Sequence, residues 1–132
     1  MIVVDTTVWA DWFNGLNTPG VHRLRRALEE EDVGVTPLIL TEVLQGFRAD
    51  RSFERARAVL VRMPTLALDI DGYVAAAQLF RSLRRKGVTV RGTVDCIIAQ
   101  TCIATEAELL SADRDFEAIA RHTRLRLCPI TG

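Results

Sequence analysis

Short apolar runs alternate along this chain with stretches whose apolar residues recur at helical spacing. Ile2-Val3-Val4 opens a buried strand over residues 2–5, followed by a helix over 7–14. Thr18-Pro19 supplies a cap and a first-turn proline for a helix with Val21, Leu24 and Leu28 on one face. Glu29-Glu30-Glu31-Asp32 closes it as a solvated acidic end, and Val33 with Val35 predicts a second strand. Thr36-Pro37 repeats the cap-plus-proline signal, and Asp50 is expected to cap a helix carrying Phe53, Ala56, Leu60 and Met63. Pro64 stops that helix, and residues 65–68 are expected as a third strand. A long helix is predicted from Asp71 to Lys86, ended by Gly87. After a loop over 88–92, Thr93 is expected to cap the helix carrying Asp95. A strand at 108–111, a helix at 114–122 and a strand near 125–128 follow.

Apolar strands alternating with helices predict an α/β fold. We expect one domain over 1–132, with a mostly parallel sheet of 4–5 short strands flanked by 6–7 helices. In such sheets ligands bind beyond the carboxyl ends of the strands. Four acids fall at that edge: Asp5 and Asp113 directly after strands, Asp95 in the first turn of its helix, and Glu42 in the second turn of its own.

Each acid has an ordinary structural alternative. Asp5 and Asp113 could cap the helices after them, Asp95 gains from a helix dipole, and Glu42 could pair with an arginine. Against this, Asp95 faces Ile98, Ala99 and Cys102 on an apolar helix, where a solitary carboxylate needs a partner. Carboxylates gathered at one edge repel unless a cation intervenes. An oxygen-only set suits a hard ion, Mg²⁺ with Mn²⁺ as substitute, which points to metal-dependent phosphodiester hydrolysis. Thr6, Thr7 and Ser111 could hydrogen-bond the acids or a metal-bound water and could equally be ordinary caps. Asp115 is within reach of a metal's water shell, but a first-turn dipole role suits it better.

Composition changes this picture little. The 132 residues are 48% apolar and carry seventeen basic against seventeen acidic groups, so net charge does not select a polyanionic partner. Lys86 is the sole lysine; an arginine-rich basic set fits phosphate contacts, and equally a GC-rich genome. Three cysteines without a CxxC pair argue against structural zinc, and Cys96 and Cys102 read as small buried side chains. With no signal-like start and no spanning segment, a reducing cytoplasm is the expected setting. Trp9 and Trp12 fit a core or interface better than base stacking, and His22 and His122 are expected at the surface.

The strings Val3-Val4-Asp5-Thr6-Thr7-Val8-Trp9, Thr41-Glu42-Val43-Leu44-Gln45-Gly46, Val94-Asp95-Cys96-Ile97-Ile98-Ala99 and Leu109-Leu110-Ser111-Ala112-Asp113-Arg114-Asp115-Phe116 occur in this order. Together they resemble the PIN-domain family, and within it the VapC-type ribonuclease toxins, over essentially the whole chain. The resemblance implies that Asp5, Glu42, Asp95 and Asp113 are the catalytic quartet holding Mg²⁺, supported by Thr7, Ser111 and Asp115. The family typically has Ser or Asn where Thr7 stands and Thr where Ser111 stands, so both departures stay small and polar. It further implies an endoribonuclease toxin of a VapBC toxin–antitoxin system, cleaving single-stranded regions of structured RNA (transfer or ribosomal) with metal-activated water. The expected products are a 3′ hydroxyl and a 5′ phosphate. A homodimer and a VapB-type antitoxin are the implied partners, and Arg91 and Arg114, next to motif acids, are the first candidates for RNA contacts.

Two rivals have testable signatures. A haloacid-dehalogenase-like phosphatase also starts with an Asp after its first strand, but wants a second acid where Thr7 stands and a lysine near the phosphate. A non-catalytic PIN-like binding module would keep the fold without needing clustered carboxylates.

Overall fold

The computed structural model describes residues 1–130. Four strands form one parallel sheet: β1 (Ile2–Val4), β2 (Val33–Gly34), β3 (Glu108–Leu110) and β4 (Arg126–Leu127), in the order β2-β1-β3-β4. Seven helices cover it: α1 (Thr6–Phe13), α2 (Pro19–Glu30), α3 (Pro37–Gln45), α4 (Asp50–Leu60), α5 (Ile70–Arg85), α6 (Thr93–Thr105) and α7 (Arg114–Arg121). The expected architecture holds. Every residue of β1 is buried, as the centre of a sheet covered on both faces requires.

The chain leaves β1 towards β2 on one side, then returns through α3–α6 to place β3 on the other. That reversal opens a crevice between β1 and β3 at their carboxyl ends. Ile2, Val3 and Val4 lie in register with Glu108, Leu109 and Leu110, so the residues just after each strand meet there. The core on either side is built from Leu24, Ile39, Ile98, Leu109 and Phe116, all essentially inaccessible. Trp9 is equally buried, its ring against Trp12 and Phe13, which makes it a core residue and not a base-stacking surface.

Several helix signals act as the sequence predicts. The Thr18 and Thr36 hydroxyls accept from the Val21 and Ile39 amides. Gly87, at φ +76°, ends α5, where the Val88 amide returns to the Leu83 carbonyl. Others shift by one residue. Asp50 is the first residue of α4 after an Ala49 cap, and Thr93 the first of α6 after Gly92, with no side-chain cap bond in either case. Both polar residues stand just inside the helix, where Asp50 still favours the dipole.

The strand expected at 65–68 is reduced to one parallel bridge, Thr65 against Val35. Asp69 explains the truncation: its carboxylate accepts from the Gly72 amide at 2.8 Å and starts α5 at Ile70, leaving no room for a longer edge strand. The acidic end of α2 is not wholly solvated either. Glu31 pairs at 2.7 Å with Arg23, a buried guanidinium whose Nε also donates to the Pro129 carbonyl. His22 and His122 are exposed as expected, and Cys96, Cys102 and Cys128 are buried free thiols. Among the described residues, no helix is long and apolar enough to cross a membrane.

Candidate metal-binding active site

Four elements aim carboxylates at the crevice. Asp5 is the residue after β1 and caps α1, its Oδ1 accepting from the Thr6 amide at 2.8 Å. Its Oδ2 accepts from the Ser111 hydroxyl, also at 2.8 Å. Ser111 follows β3, and its Oγ in turn accepts from the Asp113 amide at 3.0 Å. Asp113 caps α7, with Oδ1 accepting from the Asp115 amide at 2.9 Å. Glu42 reaches the same group from α3, accepting from the Thr6 hydroxyl at 2.9 Å. Asp5 and Asp113 thus do what the ordinary reading proposed, capping helices, while each still presents a carboxylate to the crevice.

Asp95, from the first turn of α6, completes the cluster. One carboxylate oxygen each from Asp95, Asp113 and Asp115 lie within 4.8 Å of one another. The sequence reading gave Asp115 a supporting role, yet it belongs to this tightest trio. The signal was present in the Asp113-Arg114-Asp115 spacing, because a cap and the second residue of the helix behind it point to one opening. Thr6, rather than Thr7, bridges two site elements; Thr7 is exposed.

The electrostatics match the geometry. Burial pushes the Asp95 carboxyl up to about 6, and the charges of Asp113, Asp5, Asp115 and Glu42 add to the shift. Burial also raises Asp5, against the lowering effect of its bonds from Ser111 and Thr6, with Asp113 and Glu42 adding repulsion. Asp115 Oδ2 is buried without a hydrogen bond among the described residues; Arg91 Nε, 3.4 Å away, offers charge without hydrogen-bond alignment. An orphaned buried oxygen beside two further carboxylates is the donor set a divalent cation takes. These residues fit one.

Ser111→Ala tests how far the cluster depends on its hydroxyl. The substitution strips a donor from buried Asp5 and an acceptor from the Asp113 amide. The expected cost is about 1–3 kcal/mol, read by urea denaturation. Ser111→Thr, which keeps the hydroxyl, should recover most of it.

The PIN domain family model matches residues 2–122. The chain belongs to the PIN-domain family. The match spans all four strings of the sequence reading, and it places every acid of the crevice inside the PIN domain. The VapC ribonuclease Mb1587 of Mycobacterium bovis is 35% identical over 130 residues, covering 96% of each chain. Ribonuclease VapC11 of Mycobacterium tuberculosis matches to the same extent. Among solved structures, VapBC2 from Rickettsia felis, bound to a DNA fragment from its promoter, superposes with a TM-score of 0.76. It shares 18% identity over 97% of this chain and 98% of that one, a likeness of fold. Nucleases of the PIN family generally work with a divalent metal, and Asp95, Asp113 and Asp115 of this chain form a cluster whose geometry could hold one.

Proposed function

We infer that this chain is an endoribonuclease, the VapC-type toxin of a toxin–antitoxin pair, hydrolysing RNA with Mg²⁺ at the Asp5, Glu42, Asp95 and Asp113 crevice. The observation that carries this reading is the convergence of five carboxylates from four elements on one edge of the sheet. The 35% identity to VapC ribonucleases supports it independently.

Asp95, Asp113 and Asp115 would hold the cation directly, with Asp5 beside them and Glu42 tied in through Thr6. When bound, a divalent cation supplies Lewis-acid polarisation of the phosphodiester and a more acidic water. The protein's own groups do the rest. Ser111 and the Thr6 amide fix both oxygens of Asp5, so that carboxylate does not reorient as charge develops. Arg91, largely exposed above Asp115, and exposed Arg114 would neutralise phosphates flanking the scissile one. We extend the domain to the whole of 1–132, with a homodimer, a VapB-type antitoxin and a cytoplasmic setting as its working context. Single-stranded regions of transfer or ribosomal RNA are the proposed substrates.

The phosphatase alternative loses its lysine: Lys86 lines a cavity with Ile103, two helical turns down α6 from Asp95. The test is incubation of end-labelled bacterial RNA with the purified protein, in Mg²⁺ or in EDTA. Discrete fragments with 5′ phosphates that need Mg²⁺ are expected. Intact RNA in both conditions, with the cation bound, would favour the non-catalytic module instead.

A further inference from the structure

The acids of the crevice do not line the cavities at the other end of α6. Two adjoining cavities of about 660 and 610 Å³ lie at the far end of α6 and share Ile103, Thr123 and Arg124 in their walls. Lys86 from the end of α5, Arg121 and His122 from the end of α7, Arg124 from the bend before β4 and Arg126 from its start line this groove. Glu106 is the one carboxylate in its walls. None of the lysine and arginines forms an ion pair with another described residue. Arg126 donates to the Glu106 carbonyl at 2.6 Å, which fixes its guanidinium at the rim; Glu108, its register partner, is the nearest acid on the sheet.

A helix dipole accounts for Arg121 and Lys86, each at a helix C-terminus, but not for Arg124 and Arg126 on the strand side. Nor does it explain why cations from three separate elements face one concave surface. Guanidinium groups left without carboxylate partners around a groove suit phosphate oxygens.

We propose that this groove binds the phosphate backbone of the RNA substrate at a site remote from the scissile bond. The proposal rests on the ribonuclease reading. Ile103 is eight residues from Asp95 on one helix, about 12 Å along its axis. At roughly 3.4 Å per nucleotide step, that is three to four stacked nucleotides. A strand of that length spans from the crevice to the groove, so one RNA can occupy both. The groove therefore adds affinity for RNA that extends beyond the scissile site, by contacts that read backbone and not bases.

The test compares two variants of the full chain, each also carrying Asp95→Asn so that bound RNA is not cut. One is Lys86→Gln/Arg121→Gln/Arg124→Gln; the other, Arg55→Gln/Arg57→Gln/Arg62→Gln, removes as many charges from α4 and the turn after it. Fluorescence anisotropy with labelled unfractionated transfer RNA is measured across a salt series, with circular dichroism as the check of folding. The groove variant should bind at least about tenfold more weakly, its slope of log affinity against log salt falling by about two, while the α4 variant matches the parent. Should the triple groove variant misfold, Arg124→Glu alone carries the same comparison. Equal affinity and slope for groove variant and parent would overturn the proposal and leave the ribonuclease reading intact. Loss of poly-L-glutamate binding with RNA binding unchanged would overturn it in favour of an acidic protein partner. A parent that neither binds this RNA nor cuts RNA with Asp95 restored would overturn both.

Discussion

Asp95→Asn is expected to abolish RNA cleavage, by at least about a hundredfold in kcat, and to raise the melting temperature of the metal-free protein. The two effects share one origin. Asp95 sits in the first turn of a mostly buried helix, with Asp113, Asp5, Asp115 and Glu42 all raising its affinity for a proton. Without a cation its charge is an uncompensated repulsion; with one, that charge is a ligand. Asparagine keeps shape and most hydrogen bonding while removing the charge, so a fold relieved of repulsion survives and the site loses its hold on metal. Single-turnover cleavage and scanning calorimetry in EDTA read the two outcomes. A lower melting temperature in the variant would mean that the carboxylate serves the fold, and the site assignment would fail.

The second prediction concerns pH. The folded Asp95 carboxyl titrates at about 6, above the ordinary value of 3.8, so the native state binds this proton more tightly than the unfolded chain. The associated stability is fully present below the unfolded value and is lost as pH rises through about 6. Metal-free protein should therefore lose this contribution between pH 4 and 6, and Asp95→Asn should flatten that part of the profile. A divalent cation competes with the same proton. Adding Mg²⁺ should raise the melting temperature clearly at pH 7.5 and hardly at pH 5, with cleavage falling in parallel. A metal-induced rise that is equal at both pH values would show that Asp95 is not among the ligands.

The sheet and most helices were legible because their signals are local. Thr18-Pro19, Thr36-Pro37 and Gly87 dictate backbone geometry within a turn, and Ile2-Val3-Val4 cannot be satisfied at a surface. The strand expected at 65–68 failed because its fate was decided outside the segment, by Asp69 nucleating α5. The acids were legible for a different reason: each violates its apolar neighbourhood, and the strand-then-helix order brings such violations to one edge. What the sequence could not rank was their mutual distance. Whether Asp115 or Asp5 lies nearest Asp95 depends on how far α7 rotates on its cap, a tertiary quantity. Arg23 escaped for the same reason, since one of its partners, the Pro129 carbonyl, comes from the far end of the chain.

Helix α6 joins two regions of opposite sign. Its amino end lies among carboxylates and its carboxyl end among cations, each arranged to complement the helix's own dipole. The net charge of zero therefore conceals a local asymmetry between the two ends of this helix. A molecule built this way has no overall attraction to a distant polyanion, yet it experiences a torque as it nears one. If the groove binds RNA, its cations would meet the polyanion first and orient the approach before any base is touched.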